Sequence, residues 1–178
     1  MSENSSLVGA LTTPILADHR KVTFYAAILM ALVVGGALAF EHIGGFIPCA
    51  LCLEQRMPYY VGIPITLLAG VTALFSTPAL ITRGLILIAG LLMVYGVYLG
   101  AFHSGVEWGW WPGPETCTTV ADGLSGDASN LLSDLNAKRP PSCDQAAGRF
   151  LGLSFAGWNV IASAILAFFT LRLAFRTV

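Results

Sequence analysis

The chain has 178 residues, of which 56% are hydrophobic and only 11% are charged. Soluble domains usually carry about 25% charged residues, so this composition excludes an ordinary water-soluble domain. The formal net charge is −1 and the sequence has no lysine-rich run, whereas nucleic-acid binding depends on a basic surface. The composition therefore indicates a membrane protein that does not bind nucleic acid.

The apolar residues fall in four blocks, each long enough for a membrane-spanning helix. The hydrocarbon core of a bilayer is about 30 Å thick and is crossed by about 20 apolar residues in a helix. Each block meets that length without a charged residue, and the predicted spans are 22–40, 57–75, 84–102 and 153–171. We therefore expect a single membrane domain over residues 1–178, an all-α bundle of four transmembrane helices. Its two loops on one side of the lipid bilayer are residues 41–56 and 103–152.

The first block has a second interpretation. Arg20 and Lys21 precede the apolar run, and Ala37-Leu38-Ala39 near its end imitates the cleavage site of a signal peptide. The run is longer than the apolar core of a typical signal peptide, which has about 7–15 residues. We therefore interpret this block as a membrane anchor.

Charges and cysteines both distinguish the two sides of the membrane. The side that holds both termini carries five Lys or Arg in 36 residues, and the other side carries four in 66. Cytoplasmic segments are enriched in these cations, so the termini are expected in the cytoplasm. All four cysteines lie in the loops of the other side. Disulfides persist in the periplasm, in the ER lumen or outside the cell and are rare in the cytosol, so we expect both cysteine loops in an oxidising compartment.

The first loop carries a Cys-x-x-Cys motif followed by an arginine. The spacing of Cys49 and Cys52 brings two sulfurs together across one helical turn, where they can form an easily reduced disulfide. Pro48 suits the first turn of a helix, and a helix N-terminus lowers the pKa of a cysteine thiol. Arg56 follows Cys52 by four residues and would share its helix face. Its positive charge would then favour the Cys52 thiolate.

Two other interpretations of this loop stay open at this point. A Cys-x-x-Cys motif is often half of a zinc site, although Cys117 and Cys143 are separated by 25 intervening residues, unlike the second half of a zinc ribbon. Arg56 could instead be a cation that snorkels at the start of a span. The cysteine pair beside Arg56 favours a functional role for it.

The second loop has about 50 residues, a length that is usually functional. Trp108, Trp110 and Trp111 follow the third span directly, and we interpret them as anchors in the aromatic belt of the membrane interface. Residues 121–137 place their leucines on one helical face. This pattern predicts a short amphipathic helix that lies on the membrane surface or packs against the protein.

Two polar residues lie in or beside the spans. His103 is at the outer end of the third span, where a single histidine is more often an interfacial hydrogen-bonding residue than a catalyst. The chain has three histidines in all, and His19 is on the terminal side, which argues against a bis-histidine haem protein. Asn159 lies inside the fourth span and predicts an interhelical hydrogen bond.

Taken together, these features resemble the disulfide bond formation protein B (DsbB) family of bacterial membrane enzymes. The resemblance covers the four-span layout, the motif with Cys49, Cys52 and Arg56, the Gly96 to His103 end of the third span, the pair Cys117 and Cys143, and the segment Phe150-Leu151-Gly152-Leu153. Gln55 departs from members that have an acidic residue at its position. A proton-handling role is therefore not carried over to Gln55.

The resemblance implies a relay of disulfide exchange in the bacterial inner membrane. The partner would be a periplasmic DsbA-like oxidase of the thioredoxin fold, which in its reduced form would attack the Cys117–Cys143 disulfide at Cys117. Electrons would then reach the Cys49–Cys52 pair through a disulfide between Cys49 and Cys143.

The resemblance also implies a cofactor site and no metal. Cys52 would face a quinone, either ubiquinone or menaquinone, drawn from the quinone pool of the membrane. Arg56 would hold or polarise this quinone, and His103 would help to line its pocket.

Two alternative functions are an enzyme similar to vitamin K epoxide reductase and a non-enzymatic membrane protein whose cysteines bind metal or form purely structural disulfides. The spans lack the charged residues that mark ion or substrate pathways, which argues against a transporter.

Overall fold

The computed structural model describes residues 17–75, 77–118 and 142–176. Within these ranges the chain forms six helices and a two-stranded sheet, in the order α1 (Ala17–His42), α2 (Ala50–Glu54), α3 (Met57–Leu74), α4 (Ala79–Glu107), α5 (Glu115–Thr118), β1 (Arg149–Phe150), β2 (Leu153–Ser154) and α6 (Phe155–Phe175). The helix predicted over residues 121–137 lies outside the described residues.

Four helical segments among the described residues are long and apolar enough to cross a membrane: His19–His42, Ala50–Leu74, Ala79–Glu107 and Phe155–Phe175. Large apolar side chains on their outer faces, such as Leu32, Ile88 and Phe168, are exposed in the isolated chain. Soluble monomers rarely expose extended apolar surface of this kind, whereas lipid covers it without cost. The predicted all-α bundle of four transmembrane helices is confirmed.

The centre of the bundle is a cluster to which all four long helices contribute. Met30 and Val34 of α1 pack with Tyr59 of α3, Met93 of α4 and Leu166 of α6. Because α1 supplies buried side chains to this cluster, its loss would leave a cavity in the core. This packing supports the membrane-anchor interpretation of the first span.

Helices α4 and α6 approach closely because glycines line the contact on α4. A Cβ atom on Gly100 would lie 2.8 Å from Val160 Cγ2 and 3.2 Å from the Ala156 carbonyl oxygen. The Asn159 side-chain amide donates a hydrogen bond to the Gly96 carbonyl oxygen at 3.3 Å. The interhelical hydrogen bond predicted for Asn159 is therefore present.

The loop-side ends of α4 and α6 differ from the predicted spans. Helix α4 continues past residue 102 to Glu107, which puts His103 on a helix. Helix α6 begins at Phe155 because the two preceding residues pair with β1 in a short antiparallel ladder. Ser154 then caps α6, since its hydroxyl oxygen accepts a hydrogen bond from the Gly157 N–H at 3.2 Å.

Candidate functional site

The first cysteine pair lies at the start of helix α2. Cys49 is the N-cap residue, with extended backbone (φ −77°, ψ 171°), and its sulfur accepts a hydrogen bond from the backbone N–H of Cys52 at 3.3 Å. The sulfurs of Cys49 and Cys52 are 2.7 Å apart, and the two cysteines are not joined in a disulfide. The helical turn inferred from the Cys-x-x-Cys spacing therefore brings these two side chains together.

Cys49 is the thiolate of the pair. The thiol of Cys52 donates a hydrogen bond to it, and this contact is the main reason why the pKa of Cys49 falls from its ordinary value of 9.0 to about 5. Burial of Cys49 acts in the opposite direction, and the nearby ring of His103 lowers the pKa further. A pKa of about 5 favours the thiolate of Cys49 at neutral pH, and the thiolate is the nucleophile in disulfide exchange.

His103 contacts this thiolate directly from helix α4. Its Nε2 atom lies 3.6 Å from Cys49 Sγ, and its Nδ1 atom lies 2.7 Å from the side-chain nitrogen of Gln55. The same Gln55 nitrogen donates to the Leu51 carbonyl oxygen at 3.3 Å, which fixes the orientation of the amide. Nδ1 is therefore a hydrogen-bond acceptor, so Nε2 carries the proton, and the Nε2–H group faces Cys49 Sγ. The residue pattern favours an interfacial histidine here, and the family resemblance assigns His103 to a quinone pocket. The fold brings His103 to the cysteine pair, and His103 is not among the residues that line the cavity described below.

Glu107 is a member of this site that sequence reasoning missed. Its Oε1 atom lies 3.8 Å from His103 Nε2, and the two side chains are 3% and 2% exposed. The signal in the sequence was the spacing of four residues, which places both side chains on one face of a helix. The predicted span ends at residue 102, so the sequence pattern leaves Glu107 in the predicted loop 103–152.

The second cysteine pair forms a disulfide between Cys117 and Cys143. Both cysteines belong to one buried cluster with Cys49, Leu51 and Val106. Cys117 is 6% exposed and Cys143 is 1% exposed. The disulfide is therefore covered and packs against the first cysteine pair.

Arg56 lies at the start of α3, where it forms an ion pair with Glu41 near the end of α1. The guanidinium was expected to favour the Cys52 thiolate, but the structure gives it a carboxylate partner instead. Both charged side chains line a cavity, and so does Cys52.

This cavity has a volume of about 390 Å³ and extends between α1, α3 and α6. Its walls are mostly apolar, with Val33, Ala37 and Phe155 among the lining residues. Cys49 belongs to the buried cluster with the second cysteine pair and is not among the residues that line the cavity. Cys52 packs against that cluster and also lines the cavity. Cys52 therefore lies between the second cysteine pair and the cavity.

Metal binding is the other chemistry that these side chains can support. The ligand atoms of Cys49, Cys52 and His103 lie within 4.8 Å of one another, and two cysteines with one histidine form a known catalytic zinc set. A metal at His103 Nε2 would require that atom to be unprotonated, whereas the Gln55 amide holds it in the protonated tautomer. The arrangement favours a hydrogen-bonded thiolate over a metal ligand set.

Trp111 contacts the end of α4 as expected for an interfacial side chain. Its indole N–H donates to the Phe102 carbonyl oxygen at 2.9 Å, and its ring stacks on that of Phe102. Trp108 and Trp110 are more than half exposed. The anchor role predicted for these tryptophans agrees with this placement.

A four-helix membrane bundle with a reactive dithiol packed against a disulfide defines a class of protein, the membrane thiol–disulfide oxidoreductases. The sequence profile of the disulfide bond formation protein DsbB family matches residues 19–173. The chain therefore belongs to the DsbB family, and the resemblance drawn from its motifs is confirmed. It is a disulfide-forming oxidoreductase and a multi-pass protein of the inner membrane.

Individual relatives agree with this assignment. The chain is 29% identical over 170 residues to the disulfide bond formation protein B of Herminiimonas arsenicoxydans, with 89% of this chain and 97% of that protein covered. A shorter stretch of 55 residues is 38% identical to disulfide bond formation protein B 1 of Pseudomonas aeruginosa, and it covers 31% of this chain and 33% of that protein. No solved structure matches the chain significantly.

Proposed function

We propose that this protein reoxidises a periplasmic DsbA-type dithiol oxidase and passes the electrons to a membrane quinone. The observation that carries the proposal is the placement of the cysteines. Cys49 packs in one buried cluster with Cys117 and Cys143, while Cys52 opens on an apolar cavity. One end of the relay can therefore exchange with a protein disulfide and the other with a hydrophobic electron acceptor.

The exchange steps are those that membership of the DsbB family implies, and the packing of the two cysteine pairs in one cluster supports them. Reduced DsbA attacks Cys117, which forms a mixed disulfide and releases Cys143 as a thiolate. Cys143 then attacks Cys49 in the oxidised inner pair, and Cys52, which lines the cavity, leaves as a thiolate. Each step replaces one disulfide by another through thiolate attack. Because Cys117 is only 6% exposed, its sulfur must become accessible before the partner can react.

The cavity fits a quinone by size and chemistry. Its 390 Å³ lies within the usual range of small-molecule sites, about 300–1,000 Å³. The apolar walls suit a ring and an isoprenoid tail, and Arg56 has five N–H donors, of which the pairing with Glu41 engages NH1. Arg56 can therefore also donate to a carbonyl oxygen, with Cys52 in the same cavity. A bound quinone supplies a two-electron, two-proton acceptor.

The same proposal fixes the orientation in the membrane. Both termini face the cytoplasm, and the loops with the cysteines face the periplasm. The cation density of the terminal side and the oxidised Cys117–Cys143 pair both support this orientation.

A quinone-reduction assay with purified protein and reduced DsbA tests the proposal. We expect Cys49→Ser and Cys52→Ser each to lower quinone reduction to the uncatalysed background, because either change removes the inner disulfide. The measurement follows quinone absorbance and DsbA thiols together. Normal turnover in either variant would contradict the assignment.

A double variant, Cys117→Ser with Cys143→Ser, is the matched control. It should lose the oxidation of DsbA but keep quinone reduction when a small dithiol reduces the inner pair directly. Thiol trapping without quinone adds a second check. A relay accumulates reduced cysteines under that condition, whereas a purely structural disulfide stays oxidised.

A further inference from the structure

Glu107 is a buried carboxyl group for which the relay as described has no role. Its Oε2 atom is buried and has no hydrogen-bond partner among the described residues. Its Oε1 atom lies near His103 Nε2, beyond hydrogen-bonding distance at 3.8 Å. An ionised carboxylate is poorly accommodated in such surroundings unless a donor reaches it.

The N–H of His103 that faces Glu107 also faces the Cys49 sulfur. Because the Gln55 amide keeps Nδ1 of His103 as an acceptor, the ring offers one N–H, on Nε2. Cys49 Sγ lies 3.6 Å from this nitrogen and Glu107 Oε1 lies 3.8 Å from it. One N–H cannot serve two anions at once, so the thiolate and the carboxylate compete for it.

We propose that Glu107 is protonated while Cys49 is a thiolate and becomes ionised when the Cys49–Cys52 disulfide forms, so that it provides the second proton of dithiol oxidation. This inference rests on the proposed function. Disulfide formation removes the negative charge from Cys49, which frees the Nε2–H of His103 for the new carboxylate. Glu107 acts through His103 and does not touch the sulfurs.

The atoms and charges of the step balance. The reduced site holds the Cys49 thiolate, the Cys52 thiol and the neutral acid of Glu107. Oxidation joins the two sulfurs and releases two electrons, one proton from Cys52 and one from Glu107. The electron pair and both protons are what an acceptor of the quinone class takes up as it becomes a quinol. Without Glu107 the site would supply one proton, because Cys49 has already lost its own.

The titratable groups that the described residues bring to Glu107 come from two elements. His103 lies on the same helix, and Cys52 of α2 is close enough to interact electrostatically with the carboxyl group. Cys49 reaches it through the shared histidine. Cys117 and Cys143 pack beside this site but are joined in a disulfide and do not titrate.

The test counts the protons released per disulfide without quinone. The full-length protein in detergent is equilibrated with dithiothreitol couples at several near-neutral pH values. Differential alkylation and peptide mass spectrometry then give the oxidised fraction of the Cys49–Cys52 pair alone. Each released proton changes the ratio of oxidised to reduced protein about tenfold per pH unit at fixed potential. The wild type should therefore show about a hundredfold change and Glu107→Gln about a tenfold change.

Glu107→Asp keeps an ionisable group and should restore the hundredfold change, which separates proton supply from simple packing. The helix content and the Cys117–Cys143 disulfide of both variants are checked in parallel. A tenfold change in the wild type, or a hundredfold change in Glu107→Gln, would overturn the inference. Because the count needs no quinone, failure of the wild type to reduce quinone while it still releases two protons would reject the proposed function and leave the role of Glu107 intact.

Discussion

The two cysteines of the Cys-x-x-Cys motif differ although they lie one helical turn apart. Cys49, at the N-cap of α2, accepts a hydrogen bond from the backbone N–H of Cys52, and its sulfur lies 2.7 Å from Cys52 Sγ and beside His103. When Cys49 is ionised, the thiol of Cys52 is the donor between the two sulfurs. Cys52 also lines the apolar cavity. The charge is therefore placed on the sulfur that faces the second cysteine pair, and the neutral thiol faces the cavity.

The pKa of Cys49 gives a prediction at the scale of single residues. The thiolate should form as pH rises through about 5 and be lost below it. Cys52→Ala should raise the pKa of Cys49 more than His103→Leu does, because the hydrogen bond from Cys52 makes the largest contribution. The measurement is thiolate ultraviolet absorbance against pH, with the Cys117–Cys143 disulfide intact. A larger shift in His103→Leu would show that the histidine dominates.

At the scale of secondary-structure elements, the contact between α4 and α6 depends on small residues. At Gly100 the two helices are so close that an added Cβ atom would lie 2.8 Å from Val160 Cγ2 and 3.2 Å from the Ala156 carbonyl oxygen. Helix α4 carries His103 and Glu107 at the end beyond this contact. The position of α4 therefore determines where the histidine meets the cysteine pair.

Gly100→Ala tests this dependence. Overpacking usually costs about 1–3 kcal/mol, against which a helix gains about 0.5–1 kcal/mol when glycine is replaced by alanine. We expect a net loss of about 1–2 kcal/mol in the free energy of unfolding in detergent. Gly36→Ala on α1 is the matched control, because no atom lies within 4 Å of the added Cβ. Equal stability of the two variants would mean that α4 and α6 can separate without cost.

At the scale of the whole molecule, the bundle separates two reaction partners around one dithiol. The disulfide of the second loop covers Cys49, and the cavity between α1, α3 and α6 reaches Cys52. A soluble protein and a lipid-soluble acceptor can therefore use the same pair without meeting each other. This separation explains why one motif is enough for both exchanges.

Filling the cavity should separate the two half-reactions. Ala37→Trp on α1 places a large ring among the lining residues and should raise the KM for quinone about tenfold or more, equivalent to about 1.4 kcal/mol of binding. A single turnover of DsbA oxidation by the oxidised protein should keep its wild-type rate. Ala31→Trp, an exposed position on the same helix, is the control and should leave both reactions unchanged. If Ala37→Trp reduces quinone normally, the acceptor binds elsewhere.

The sequence alone determined the number of membrane helices, the family and the four cysteines, because span length, hydropathy and the Cys-x-x-Cys motif are local properties of the chain. Only the tertiary structure decided that Cys49 is the thiolate, that Arg56 pairs with Glu41, and that Gln55 sets the tautomer of His103. It also brought Glu107 into the site and buried the Cys117–Cys143 disulfide against Cys49. Cys49 and His103 are 54 positions apart, and their contact depends on how α2 packs on α4. Local patterns in a sequence do not specify such packing, because a hydrogen bond between residues far apart in the chain forms only when the helices that carry them pack together.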